Sequence, residues 1–263
     1  MCGIAGYSAG PGSRLERTLC AQALLAGIAE RGADAVGFAH RAAVGGITVV
    51  KQRSGASALL QNVYVPPEAV DALLHVRDYT KGHPHISANN HPVRHGAVVG
   101  VHNGIIFNDD ELMLAHGFDR EDPEMTVDSE AIFALAEASQ NDARALEELR
   151  GSMAAAWLDE RENGVVRVAR GIGRPLWVGV ARDEVLFAST RTALEIAGRY
   201  CGLHLELEEL PEGTLVELAR GRVAAHRSFA PNRGFTEEPL PAVRAPLEGE
   251  ACLRLLHALA AVA

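Results

Sequence analysis

The chain has 263 residues, of which 48% are hydrophobic and 22% are charged, and its net charge is −9. This composition is typical of a soluble globular enzyme with one large domain or two small ones, in which roughly 75% of the unfolded surface becomes buried. The acidic balance, without a basic cluster, argues against nucleic acid or an anionic membrane surface as a partner. No apolar run approaches the length of about 20 residues that crosses a bilayer, and no signal peptide precedes the first strand, so we expect a cytoplasmic protein.

The first predicted elements are strands. Residues 2–8 and 34–51 are apolar and β-branched and are interrupted by glycine pairs, which predicts a strand and a hairpin. Between them, residues 13–32 have apolar side chains at helical spacing and end on Gly32, a common helix stop. The stretch 97–107 (AVVGVHNGIIF) predicts a strand, a tight Asn-Gly turn and a second strand. An amphipathic helix with Asp128 as its N-cap is predicted over 127–139.

The second half of the chain predicts a block of strands at 153–160, 164–170, 176–181 and 184–189, followed by a helix at 190–198 and a hairpin over 214–227. Four prolines between Pro231 and Glu250 predict an extended linker, and the residues after it form a short apolar helix. We therefore divide the chain into a domain at 1–230, a Pro-rich linker at 231–250 and a C-terminal helix at 251–263.

Cysteine chemistry is indicated at the N-terminus. The four cysteines (Cys2, Cys20, Cys201 and Cys252) lack C-x-x-C spacing, so free thiols in a reducing compartment are expected. Aminopeptidases remove an initiator methionine that precedes a small residue such as Cys2. The α-amine thus exposed has a pKa of about 8 and can accept the proton of the neighbouring thiol. The alternative is that Cys2 is only a small buried residue of an edge strand.

An acyl-transfer cysteine needs hydrogen-bond donors aimed at the developing oxyanion. The sequence HNGII offers the side-chain amide of Asn103 and the unhindered backbone N–H of Gly104. Taken alone, however, Asn-Gly is the commonest two-residue hairpin turn.

Six motifs together resemble the class II glutamine amidotransferases, whose glutaminase domains carry an N-terminal cysteine nucleophile. The glutaminase domain of glucosamine-6-phosphate synthase is the most similar. The order and approximate spacing of the six motifs match the family, and the later segments GIGRPLWVG and FASTRTAL extend the resemblance to about residue 225. The motifs are MCGIAGY, ERGADAVGFA, LLHVRDYTKG, NHP, VVGVHNGIIFN and TVDSEAI.

The resemblance implies an α+β fold, the four-layer αββα sandwich of the N-terminal-nucleophile hydrolases, and L-glutamine as substrate. It implies that Cys2 attacks the side-chain amide and that Asn103 and Gly104 form the oxyanion hole. Arg77 would bind the substrate α-carboxylate, for which a bidentate guanidinium is suited. Asp128 would hold the α-ammonium group.

Further roles follow from the same resemblance. Thr80 would line the glutamine pocket together with Gly104, and Arg31 would steady the strand of Cys2 from behind the site. Gly3 would leave room for the substrate. In isolation, Arg77 could equally be a solvated strand residue and Asp128 only a helix cap.

The sequence departs from the family directly after Arg77. Members of that family usually carry an aromatic residue there, whereas this chain has Asp78, with Tyr79 one position later. The departure bears more on how the loop closes over glutamine, and on how tightly glutamine is bound, than on the acyl chemistry.

Several histidines share one segment, GHPHISANNHPVRHG, at spacings that metal ligands also use. The segment has no acidic residue, and the family has a similar stretch without metal, so we expect neither metal nor cofactor. The histidines are His83, His85, His91 and His95.

Larger relatives use the released ammonia in a synthase domain. We expect this chain to pass ammonia to a separate synthase subunit. The apolar face of residues 251–262 either binds that subunit or packs on the chain's own domain. Two alternatives are a standalone amidohydrolase of another γ-glutamyl amide and a non-catalytic glutamine sensor. The nitrogen acceptor and the oligomeric state are left open.

Overall fold

The computed structural model describes residues 2–42, 46–237 and 244–261. Its first sheet has seven strands in the order β11-β9-β10-β1-β4-β2-β3, and every ladder in it is antiparallel. These strands are β1 (Gly3–Ala9), β2 (Ala35–Ala42), β3 (Ile47–Gln52), β4 (Ala69–Arg77), β9 (Trp177–Val180), β10 (Glu184–Ala188) and β11 (Glu206–Glu209).

The second sheet has six antiparallel strands in the order β13-β12-β8-β7-β6-β5. They are β5 (Val93–His95), β6 (Val98–Ile106), β7 (Gly151–Asp159), β8 (Val165–Arg170), β12 (Thr214–Ala219) and β13 (Arg222–Ser228). The helices are α1 (Arg17–Ile28), α2 (Asp109–His116), α3 (Glu130–Ala138), α4 (Arg191–Cys201) and α5 (Pro246–Ala260).

Three apolar layers separate the elements. Side chains of both sheets, such as Leu73 and Val101, form the core between the sheets. The outer face of the first sheet packs against α1, α4 and α5, and the outer face of the second against α2 and α3. Each sheet thus buries both faces, which is why strands such as β1 are apolar without alternation. The expected four-layer αββα sandwich is confirmed.

The strand β4 was missed by the element prediction and lies at the centre of the first sheet, between β1 and β2. Its register with β1 pairs Gly3 with Val76, and its register with β2 pairs Ala35 with Arg77. The N-terminal end of β1 therefore lies beside the C-terminal end of β4, which brings Cys2 next to Arg77.

The predicted turn at Asn103-Gly104 is wrong. Strand β6 is continuous through both residues, which pair in register with Ala154 and Met153 of β7. Gly104 has φ +152°, and a Cβ there would collide with the Ser152 carbonyl. The glycine permits this close approach between neighbouring strands rather than a reversal of the chain.

The C-terminal helix packs on its own domain. It begins at Pro246, inside the predicted linker, and places Cys252 and Leu256, both fully buried, in the core beside α1. The hypothesis that this apolar face binds a partner is therefore not supported. Residues 238–243 of the predicted linker lie outside the described residues, and the boundary of the domain stays a prediction.

Candidate active site

Cys2 lies half-buried immediately before β1. Its Sγ donates to the Asp78 carbonyl oxygen at 3.4 Å and accepts from the Asp78 backbone N–H at 3.5 Å. Burial raises the pKa of the Cys2 thiol, while the Asp78 N–H and the Arg77 guanidinium act in the opposite direction. The main chain that follows β4 is thus in direct contact with the sulfur.

Arg31 contacts the same residue from the other side. It ends a short 3-10 turn, Ala29–Arg31, and its Nε donates to the Cys2 carbonyl oxygen at 2.9 Å. Gly3 provides space for this packing, because a Cβ there would lie 2.9 Å from Ile28 and 3.1 Å from Cδ of Arg31. The expectation that Gly3 makes room for the substrate is replaced by close packing of β1 against the end of α1.

Asn103 is buried on β6, in the row of residues that faces the first sheet with Val99 and Val101. Within the described part of the chain, neither its Nδ2 nor its Oδ1 has a hydrogen-bond partner. An unpaired buried amide costs on the order of 1–3 kcal/mol. Such an amide is accounted for if a ligand atom completes its hydrogen bonds.

Two buried histidines, His102 on β6 itself and His75 on β4, are neutral at pH 7. The pKa of His75 and that of His102 are each lowered to about 3, chiefly by burial. The His102 ring is held by a 2.9 Å contact between Nδ1 and Ser129 Oγ, and its carbonyl oxygen lies 3.0 Å from His75 Nε2. They support the position of β6 without adding charge to the site.

Arg77 is 2% exposed at the end of β4, so it is not the solvated strand residue of the alternative interpretation. Its Nη1 donates to Asn90 Oδ1 at 2.6 Å, and its Nη2 donates to the carbonyl oxygens of Lys81 (2.8 Å) and Gly82. The guanidinium therefore holds the following loop, residues 79–82, in place. Both loop carbonyls accept from the same guanidinium nitrogen, Nη2.

Asp128 is 3% exposed and is not the N-cap of α3, since that position falls on Ser129. Its Oδ2 instead accepts the Ile106 backbone N–H at 2.7 Å. Burial, reinforced by the nearby Asp109, raises the pKa of Asp128 to about 6. Among residues 2–42, 46–237 and 244–261, no cationic side chain lies within hydrogen-bond distance of the Asp128 carboxylate, so this buried group is suited to receive a positively charged ligand.

These residues meet in one cavity between the two sheets. It is lined by Cys2, Arg77, Thr80, Gly104 and Asp128, together with Tyr79, Lys81, His91, His102, Val127 and Ser129. Thr80 is exposed, and Asn103 and Arg31 are not among the lining residues, although each is a neighbour in sequence or a hydrogen-bond partner of one. The free volume is about 10 Å³, roughly that of one water molecule. A larger cavity of about 340 Å³ at the far end of β1 contains none of the predicted site residues.

Several supporting residues escaped the sequence prediction. Asp34 accepts the Tyr79 N–H at 2.9 Å, and its own N–H donates to the Arg77 carbonyl oxygen. Asn90 holds Arg77, as described above. Lys81 reaches Asp109 at 2.6 Å and Asp110 at 2.8 Å, which fastens the loop 79–82 to α2. Asp34 and Asn90 stand inside the motifs ERGADAVGFA and NHP, so motif position was the available signal.

No metal site is predicted for the four histidines of the segment GHPHISANNHPVRHG, and the structure places them in three separate locations. His83 stacks on His85 at 4.6 Å between ring centroids, and His91 stacks on His75 at 4.1 Å. His95 lies 3.0 Å from Glu130. Across residues 2–42, 46–237 and 244–261, no group of three or more His, Cys, Asp or Glu side chains could hold a metal ion.

Comparison of the sequence with known proteins relates the part of the chain that carries most of these residues to a family. Residues 80–196 match the model of the glutamine amidotransferase domain, a range that includes Thr80, Asn103, Gly104 and Asp128. The chain is also 30% identical over 239 residues to glutamine–fructose-6-phosphate aminotransferase of Escherichia coli O6:H1, which covers 85% of this chain and 36% of the relative. Residues 80–196 of this chain thus match the glutamine amidotransferase domain family.

The amidotransferase fold agrees with solved structures. The glutamine phosphoribosylpyrophosphate amidotransferase of B. subtilis superposes with a TM-score of 0.69 at 19% identity, covering 88% of this chain and 50% of that one. A glutamine aminotransferase class-II domain protein from Silicibacter pomeroyi superposes with a TM-score of 0.54 at 19% identity, covering 88% of this chain and 100% of that one. These likenesses concern the fold.

The chain spans about a third of the length of the curated relatives that it matches. A second relative, the glutamine–fructose-6-phosphate aminotransferase of Vibrio vulnificus YJ016, is 30% identical over 243 residues, which is 86% of this chain and 37% of that protein. Among the described residues, none of the helices has the length and apolar character needed to cross a bilayer.

Proposed function

We propose that this chain hydrolyses L-glutamine to glutamate and ammonia through a glutamyl thioester on Cys2. The observation that supports this most directly is the shared cavity, in which a cysteine thiol, a buried guanidinium and a buried carboxylate face one another. A free amino acid carries one charge of each sign, so Arg77 and Asp128 together would select its α-carboxylate and α-ammonium groups.

The proposed reaction begins with removal of Met1, which gives Cys2 a free α-amine. That amine accepts the thiol proton while Sγ attacks the amide carbon, and it returns the proton to the departing nitrogen. The C–N bond breaks, ammonia leaves and a thioester remains. Water then attacks the thioester, which releases glutamate and restores the thiol.

The oxyanion of each tetrahedral intermediate would be bound by Asn103 Nδ2 and the Gly104 backbone N–H. The amide of Asn103 lacks a partner among the described residues and would gain one in the intermediate. A donor whose hydrogen bond forms only as charge develops lowers the barrier to reaction rather than the energy of bound substrate.

Glutamine binding requires the loop 79–82 to move. The cavity of about 10 Å³ does not hold an amino acid, and the carbonyls of Lys81 and Gly82 occupy Arg77. We infer that the substrate carboxylate replaces these two carbonyls on the guanidinium. The loop would then close over the side chain of glutamine, with Thr80 at its mouth.

Intact mass spectrometry after treatment with 6-diazo-5-oxo-norleucine, a glutamine analogue that alkylates the nucleophile, tests the proposal. The expected product lacks Met1 and carries one adduct on Cys2, and Cys2→Ala carries none. A chain that keeps Met1 and remains unmodified would contradict the mechanism. Glutamine binding without turnover, unchanged in Cys2→Ala, would identify a sensor instead.

We further propose that the ammonia is delivered to a separate synthase partner, since free ammonia becomes ammonium in solution.

The standalone amidohydrolase of another γ-glutamyl amide is the second candidate. It is favoured by α5, whose buried Cys252 and Leu256 pack on the domain itself. Steady-state kinetics with glutamine and a panel of γ-glutamyl amides separate the two. High unstimulated turnover of an amide other than glutamine would favour the second.

A further inference from the structure

The C-terminal segment reaches the candidate nucleophile through Asp78, the residue that follows Arg77. Arg244 precedes α5 and binds the Asp78 carboxylate with two nitrogens, Nε to Oδ2 at 2.9 Å and Nη1 to Oδ1 at 3.3 Å. The Asp78 side chain is 16% exposed and that of Arg244 is 33% exposed. A two-point guanidinium–carboxylate contact fixes direction as well as distance.

Arg244 is itself held to the domain. Its backbone N–H and that of Ala245 both donate to the Glu30 carbonyl oxygen, at 3.3 and 2.8 Å. Glu30 is the neighbour of Arg31, whose side chain holds the Cys2 carbonyl oxygen. The two faces of the nucleophile are therefore supported from one short stretch of chain, residues 30–31.

Helix α5 makes this support rigid. Near its start, Glu248 accepts both the N–H and the hydroxyl of Ser57, each at 3.0 Å. Further along, Leu256 is buried in the core. A helix fixed at both ends presents Arg244 in a defined position.

We propose that Arg244 is a positioning residue, which through Asp78 holds the backbone N–H and carbonyl of that residue against the sulfur of Cys2. It touches neither substrate nor the reacting atoms. This inference rests on the proposed function of Cys2 as the nucleophile. It gives the C-terminal segment that begins at Arg244 and continues as α5 a role in aligning the site.

The test compares Arg244→Ala, Asp78→Asn and the double variant with the wild type and with Arg254→Ala. Arg254 is a matched control, since it lies on α5, is 72% exposed and pairs with Glu250. We expect each single variant to lower kcat/KM for glutamine about tenfold, chiefly through kcat. The double variant should be no worse than either single one, because both remove the same contact. Arg254→Ala and the thermal midpoints should be unchanged.

A second measurement distinguishes positioning from simple charge. The rate of Cys2 alkylation by iodoacetamide is followed against pH by peptide mass spectrometry. Of the charged side chains beside the thiol, Arg77 favours the thiolate and Asp78 opposes it. If Arg244 acts by holding the Asp78 N–H on the sulfur, both single variants raise the pH at which the alkylation rate is half-maximal, called the midpoint here. If only charge matters, Arg244→Ala raises the midpoint and Asp78→Asn lowers it, which would overturn the proposal.

Alkylation needs a reactive thiol but not glutamine hydrolysis, so the two proposals fail separately. A wild-type chain that reacts at Cys2 and hydrolyses no amide would contradict the proposed function alone. Unchanged kcat/KM and unchanged alkylation in Arg244→Ala would contradict the positioning role alone.

Discussion

Replacing Asp128 by Asn is expected to stabilise the free protein while abolishing glutamine hydrolysis. Burial raises the pKa of Asp128 from 3.8 to about 6, so ionising this carboxyl costs more in the folded than in the unfolded chain. The cost is fully present above pH 6 and disappears as the pH falls below 3.8. The rise in pKa corresponds to about 3 kcal/mol at pH 8.

Asparagine removes this cost and keeps an oxygen that can accept the Ile106 N–H. We therefore expect Asp128→Asn to raise the free energy of unfolding by up to about 3 kcal/mol at pH 8, and by well under about 1 kcal/mol at pH 4. For a chain of this size the change at pH 8 is a rise of roughly 5 to 10 °C in Tm. Urea unfolding at both pH values, without glutamine, measures the difference.

The same carboxylate predicts the pH dependence of the reaction. Only the ionised form of Asp128 would bind an ammonium group, so KM for glutamine should rise as the pH falls through about 6. Asp159 provides a control of opposite sign, because contacts with Arg161 and Asn141 lower its pKa to about 2. Asp159→Asn should destabilise the protein at pH 8. An Asp128→Asn variant that is less stable than wild type at pH 8, or equally active, would refute this reasoning.

Other substitutions test the remaining parts of the site. Asn103→Ala should lower kcat about 10²–10³-fold with little change in KM, measured by steady-state glutaminase assay, as expected for loss of an oxyanion donor. Gly104→Ala should reduce soluble expression and Tm, because its Cβ would collide with a carbonyl of β7. Arg77→Lys should raise KM at least about tenfold, since one ammonium replaces a two-point contact. Leu256→Ala should cost about 2–4 kcal/mol in urea unfolding, whereas Leu253→Ala, at a side chain 38% exposed, should cost far less.

The sequence predicted which residues meet at the site better than the local structure that brings them together. Cys2, Arg77 and Asp128 stand in separate motifs, and the family resemblance was enough to expect them together. The Asn-Gly pair was assigned to a turn, because a dipeptide signal carries no information about pairing with a strand that begins more than forty residues later. The strand β4 was missed because a fully buried strand lacks the alternation that marks a half-buried one.

The contacts that hold the site residues in place could not be predicted from the sequence for a related reason. The pairing of Asp78 with Arg244 joins residues 166 positions apart, across a segment predicted as a linker. Local periodicity says nothing about such a pair. Likewise, the raised pKa of Asp128 depends on burial by several elements, which a sequence window does not contain.

The candidate nucleophile and the candidate oxyanion donors belong to different sheets, Cys2 next to β1 and Asn103 on β6. Their separation is therefore set by the thickness of the apolar layer between the sheets, which includes Leu73 and Val101. This central core acts as a spacer for the reaction as well as a source of stability. A change that thins or swells the layer by a fraction of an ångström would misalign thiol and donors while the fold survives, so turnover would be lost before structure.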